Sequence, residues 1–99
     1  MQAHYPEAFE REMGCTEGEL LVWLPGAVKG RPVEAADGHA RVAIGAGQLM
    51  LAWRTLPPRQ IALMRIPRLA ISFRFSGVDD TLRQAFMRYF DLYTQRGGG

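Results

Sequence analysis

Between about residues 31 and 76, large apolar side chains recur at every second position. Val33, Val42, Ile44, Leu49, Leu51, Trp53, Ile61, Leu63, Ile71 and Phe73 carry this pattern, which is the spacing of strands with one buried face. Asp37-Gly38 at the centre of "VEAADGHARVAI" is a two-residue hairpin signal. It sets Val33 against Val42 and Glu34 against Arg41. Further hairpins around "GAGQ", "LPP" and "IPR" set Ile44 against Leu49, Trp53 against Ile61, and Leu63 against Ile71. All the large apolar residues then share one face, and a slip of one residue would move a whole strand's set to the other. The pattern predicts an antiparallel β-meander of four or five strands over about 31–76.

After Gly77 the period changes. Leu82, Ala85, Phe86, Tyr89, Phe90 and Tyr93 follow helical spacing, predicting an amphipathic helix over about 79–95. Asp79 or Asp80 would cap it, and it would cover the apolar face of the sheet. Two short helices are expected before the meander. In "HYPEAFEREMG", Pro6 suits a first helical position, Phe9 and Met13 share a face, and Gly14 can end the helix. In "TEGELLVWLPG", Thr16 and Glu19 have capping-box spacing and Pro25-Gly26 reads as the stop, although the run "LLVW" also has the composition of a buried strand. At the other end, "TQRGGG" places Arg96 against the helix dipole, Gly97 at a left-handed cap, and 97–99 in a flexible tail. The expectation is a single α+β domain over 1–99.

The positions of opposite parity are less routine. They carry Arg41, Ala43, Met50, Ala52, Arg54, Gln60, Ala62, Met64, Ala70, Ser72 and Arg74. A solvated sheet face normally alternates with charged and β-branched polar residues. This one is a flat floor of alanine and methionine, on which the expected register sets Met50 against Met64, Ala52 against Ala62 and Gln60 against Arg74. Arg41, Met50, Arg54, Gln60, Met64, Ser72 and Arg74 are therefore the candidate binding residues. Three occupants fit: the N-terminal helices, a second copy of the chain, or an anionic ligand clamped by the arginines.

Charge sharpens this picture. Residues 1–40 hold three basic and seven acidic side chains, and residues 41–99 hold nine arginines against three aspartates. The guanidinium fork suits carboxylates and phosphates. Arg54, Arg59, Arg65, Arg68 and Arg74 form a cluster that could contact nucleic-acid phosphates. The aromatics of that region, Trp53, Phe73 and Phe75, have the parity of the buried face, which argues against base stacking.

Candidate chemistry is sparse. Cys15, His4 and His39 are the only nucleophile and imidazole candidates, and no orienting carboxylate accompanies them. Two histidines without nearby cysteine or carboxylate spacing make no metal site. "GAG" at 45–47 lacks a third glycine and opens a strand, so no phosphate cradle or cofactor is expected. One cysteine excludes an internal disulfide and fits a reducing compartment. The N-terminus lacks a basic apolar leader, and the longest apolar run, 20–28, is broken by Pro25 and Gly26. These features lead to the expectation of a cytoplasmic, non-enzymatic binding or assembly protein that does not engage a membrane. A protein partner or homodimer is the first expectation for its face. An anionic ligand or nucleic acid is the alternative, and a small enzyme or carrier the further class.

Overall fold

A computed structural model describes residues 4–97 of the chain as five strands and two helices. The order is β1 (Ala8–Met13), α1 (Glu17–Ala27), β2 (Val33–Ala36), β3 (His39–Ile44), β4 (Gly47–Ile61), β5 (Met64–Ser76) and α2 (Asp80–Gly97). The strands form one antiparallel sheet in the order β1-β5-β4-β3-β2. The α+β class and the meander therefore stand. The large apolar residues of β3, β4 and β5 share one face, where Val42, Ile44, Leu49, Leu51, Leu69, Ile71 and Phe73 are buried with Leu20, Leu24, Phe86 and Phe90 of the helices.

"HYPEAFEREMG" is a strand and not a helix. Phe9 and Met13, four apart, share a face in either conformation, so their spacing could not decide between the two. The tertiary context decides it. β5 has a free edge, β1 pairs along it from Ala8↔Arg74 to Met13↔Leu69, and Phe9 stacks on Phe73 with ring centroids 4.7 Å apart. Arg11, at the inward position between them, lies 4.8 Å over the Phe73 ring and pairs with Asp91 of α2. A charged residue at an apolar position hid the period of two.

The second N-terminal element is a helix with its capping box in place. Thr16 Oγ1 accepts from the Glu19 amide at 3.1 Å, and Glu19 Oε1 accepts from the Thr16 amide at 2.9 Å. It does not stop at Pro25-Gly26. The helix runs on to Ala27 because Leu24, Ala27 and Val28 are buried beneath it. Gly26 is where α1 meets α2, since a Cβ there would overlap the Tyr93 ring.

The register departs from expectation at two places. The turn after β3 is the two-residue Gly45-Ala46, so Ile44 pairs with Gly47 and Val42 with Leu49. A slip of two keeps every side chain on its face. Farther along, "LPP" and "IPR" are not hairpin loops. β4 continues through Pro57 and Pro58 to Ile61, and the chain turns once, at Ala62-Leu63. Pro57, Pro58 and Pro67 fall together in a register shift between Leu56↔Arg68 and Arg59↔Ile66. The three residues with no amide to donate occupy the gap in the ladder.

α2 is capped by Asp79, whose Oδ1 accepts from the Leu82 amide at 2.8 Å. Its buried side is rotated from the expected stripe: Ala85 is exposed, whereas Arg83, Gln84, Met87 and Thr94 are buried with Phe86 and Phe90. The polar members hold the segment before β1. The Tyr5 amide donates to Gln84 Oε1 at 2.8 Å, and the Tyr5 carbonyl accepts from Arg83 Nε at 2.9 Å and Gln84 Nε2 at 2.7 Å. Expectations for the Arg96 side chain, Gly98 and Gly99 lie outside the described residues, and Gly97 is the last residue of α2.

Tyr5 is fully buried and its hydroxyl donates to Asp91 Oδ2 at 2.5 Å. Burial, then the bond to Asp91, push its pKa from 10.0 to about 12. Between these values the unfolded chain has lost a proton that the folded chain keeps, so folding stability falls as pH rises through that window. The expected loss, about 2 kcal/mol, should appear in urea denaturation of the wild type from pH 10 to pH 12 and be absent from Tyr5→Phe. Parallel pH profiles for the two proteins would refute the assignment.

Candidate binding face

Antiparallel partners directly opposite each other point to the same side of a sheet, so the register defines what lies on the face away from the helices. One row across the sheet reads Ala8, Arg74, Met50, Arg41, Glu34. The next reads Glu10, Ser72, Ala52, His39, Ala36, and a third reads Glu12, Ala70, Arg54. Five of the seven candidate residues, Arg41, Met50, Arg54, Ser72 and Arg74, thus share one surface. Gln60 and Met64 do not: Gln60 pairs with Arg65 and Met64 with Ile61, beyond the proline bulge. The expected contacts of Met50 with Met64, Ala52 with Ala62 and Gln60 with Arg74 are replaced by Met50↔Arg74, Ala52↔Ser72 and Gln60↔Arg65.

No described helix covers this face. α1 packs beside α2 on the apolar side, where Leu20, Leu24 and Ala27 are buried and Trp53 Nε1 donates to Glu17 Oε2 at 2.6 Å. Covering by the N-terminal helices, one of the three occupants that fitted the sequence, is overturned. One of the two segments is a strand of the sheet and the other lies on the opposite side.

The centre of the open face is a depression of about 170 Å³, floored by Ala52, Ala70 and Ser72 and rimmed by Glu10 and Arg54. Its floor residues are half-buried by their neighbours, and Met50, Arg54 and Arg74 stand exposed around it. The arginines differ in their engagement. Arg41 pairs across the strands with Glu34, whose carboxyl is held below the usual range by that bond. Arg68 and Arg59 both reach Glu12, at 2.7 and 3.6 Å, and the Arg68 bond lowers the Glu12 pKa in the same way. Arg54 and Arg74 form no ion pair among the described residues. Both stand exposed on the open face.

Groups of potential catalytic use are dispersed. Cys15 is buried, and burial followed by the charge of Glu19 raises its pKa, which suits a packed thiol better than a nucleophile. His4 bonds Asp80 at the start of α2, and His39 Nδ1 lies 3.1 Å from the Ala36 carbonyl across the hairpin turn. Among the described residues no three His, Cys, Asp or Glu side chains converge as a metal site, and no helix is long and apolar enough to cross a membrane.

The segment of β4 and β5 beyond Trp53 and Leu69 departs from expectation: Ile61 and Leu63, expected on the buried face opposite Trp53 and Ile71, are exposed there with Met64. Its signal was the three prolines, which read as loops. No family model and no curated protein matches the chain.

If the face is open, a long polar side chain in its centre is tolerated. Ala52→Lys should change the free energy of unfolding by less than about 0.5 kcal/mol. Ala40→Lys, on the buried side of the adjacent strand, should cost more than about 3 kcal/mol. Urea denaturation of both variants checks this, and a comparable loss in both would mean that the face is covered.

Proposed function

We propose that this protein is a cytoplasmic, non-enzymatic binding or assembly module whose open sheet face takes an acidic amphipathic segment of a partner protein. The observation that carries the reading is the small-residue floor of Ala52, Ala70 and Ser72 between Arg54 and Arg74, two arginines with no ion pair among the described residues. Alanine and serine floors let a partner backbone approach closely. Arg54 lies beside Ala70 and Arg74 lies four residues further along β5, which separates the two by roughly 13 Å at the rise of a strand. Carboxylates two turns apart on a helix are about 11 Å apart, within reach of both side chains. Met50 at the margin supplies an adaptable apolar contact.

A nucleic-acid reading has less support. Trp53, Phe73 and Phe75 are turned into the core, and Arg59 and Arg68 are shared with Glu12. An enzymatic reading lacks a convergent set of acid, base or nucleophile among the described residues. The placement in a reducing compartment rests on the lone, buried thiol of Cys15.

The probe is a stapled helical peptide with an alanine stripe flanked by glutamates two turns apart, with a lysine-flanked peptide as control. Titration followed by amide NMR shifts should move Ala52, Arg54, Ala70 and Ser72 with the acidic peptide only. Arg54→Glu with Arg74→Glu should weaken that binding at least about tenfold. Equal response to both peptides, or shifts away from these residues, would overturn the reading. Tighter binding of a mixed-sequence oligonucleotide that collapses at moderate salt would favour nucleic acid instead.

A further inference from the structure

β3 stops pairing with β4 at Ala52, and β1 stops pairing with β5 at Leu69. Beyond these points Thr55–Ile61 and Met64–Arg68 pair only with each other, as a short two-stranded ribbon that turns at Ala62-Leu63. A hairpin apex in water is normally built from glycine, asparagine or aspartate, which take a left-handed backbone at little cost. Here the left-handed position is Ala62, at φ 51°, and the next residue is Leu63, 99% exposed. Met64 and Ile61 beside it are 64% and 50% exposed. The turn forgoes favourable turn chemistry and places three large apolar side chains together at the ribbon's end.

The size, backbone and charge of this tip fit a lipid surface. Three side chains fall well short of the roughly 1,000 Å² that a specific protein interface buries. A bilayer interface asks only that apolar side chains enter the boundary between headgroups and acyl chains, with electrostatic attraction added to it. The apex is also tied off for such a place: Gln60 Nε2 donates to the Ala62 carbonyl at 3.3 Å, which lowers the cost of drawing the turn out of water. The stretch "RQIALMRI", residues 59–66, contains two arginines and no acid. Arg65, next to Met64, forms no ion pair among the described residues. Arg59 and Arg68 share Glu12, so those three side chains together keep one positive charge. The acids stand toward the other end. Glu12 lies opposite Ala70, and Glu17 is bonded to Trp53. At the rise of a strand, Ala70 and Trp53 are roughly 20 and 27 Å along the chain from Met64 and Ile61, well over a Debye length.

We propose that the ribbon is a membrane-surface anchor: its tip enters the interface of a bilayer rich in anionic phospholipid, with Leu63, Met64 and Ile61 below the headgroups and Arg65 on their phosphates. The guanidinium fork suits that contact. That no helix among the described residues is long and apolar enough to cross a membrane bears on spanning, and not on a tip that rests in the interface. So small an anchor holds weakly and reversibly. It is separate from the open face and does not depend on what that face binds.

Co-sedimentation of the full chain with sucrose-loaded vesicles tests this, using phosphatidylcholine alone and an equimolar mixture with phosphatidylserine. At low salt the wild type should bind the mixed vesicles at least about tenfold more tightly than the neutral ones. Leu63→Glu should weaken that binding at least about tenfold and Arg65→Gln about fivefold, both with the circular dichroism spectrum unchanged. Arg88→Gln, which removes the same charge from an exposed position on α2, should bind as the wild type does. A wild type that stays in the supernatant with mixed vesicles overturns the proposal, whether or not it dimerises through the tip instead. So does binding that survives Leu63→Glu. Equal losses in Arg65→Gln and Arg88→Gln would also overturn it, since overall charge alone would then account for the attraction.

Discussion

The large side chains of β3, β4 and β5 that point toward the helices are valine, isoleucine, leucine, tryptophan and phenylalanine. Those on the open face are alanine, serine, methionine, glutamine, arginine and His39. A sheet with one apolar face needs one covering layer, and α1 and α2 supply it side by side, brought together where Gly26 passes under Tyr93. A second layer would have no large apolar side chain to bury beyond Met50. The open face is thus a consequence of the period-two pattern, and its composition is set by the same alternation that builds the core.

Closing the sheet on the β1 side takes a different interaction. β1 is short, and its inward residues include Arg11, so apolar burial alone is a weak hold. The chain is positioned by polar groups that α2 buries. Arg83 and Gln84 satisfy both the amide and the carbonyl of Tyr5, and Asp91 receives the Tyr5 hydroxyl and the Arg11 guanidinium. Buried polar groups left unpaired are costly, so these bonds select one alignment of β1 on β5. They also explain why α2 turns Arg83 and Gln84 inward and leaves Ala85 outside.

The parts of the fold that were legible in the sequence are those where one principle acts alone. The Asp37-Gly38 turn, the Thr16–Glu19 capping box and the parity of β3 to β5 on the sheet side of the prolines all stood, whereas Ile61 and Leu63, beyond the register shift, are exposed. β1 was misread because i,i+4 spacing is common to both regular conformations and Arg11 occupies an apolar slot. The Gly45-Ala46 turn was misplaced by two residues, an error to which parity is blind. On the candidate face, Arg41, Met50, Arg54, Ser72 and Arg74 were placed together correctly because each lies on the sheet side of the prolines. Gln60 and Met64 were lost because they lie beyond the prolines, on the two-stranded ribbon formed by Thr55–Ile61 and Met64–Arg68.

That division shows what the prolines do. A projecting ribbon exposes two free edges, and free edges invite pairing with any extended chain. Pro57, Pro58 and Pro67 interrupt the ladder at the ribbon's root, and Arg59 and Arg65 charge the stretch beyond it. Both features discourage edge-to-edge pairing while leaving the tip's side chains free to make contacts. Prolines that resemble loop signals in the sequence are, in the folded chain, what lets two strands run on past their neighbours without an edge that aggregates. The ribbon was hard to read for the same reason that it is safe to expose: its backbone is spoiled as a strand partner at the point where it leaves the sheet.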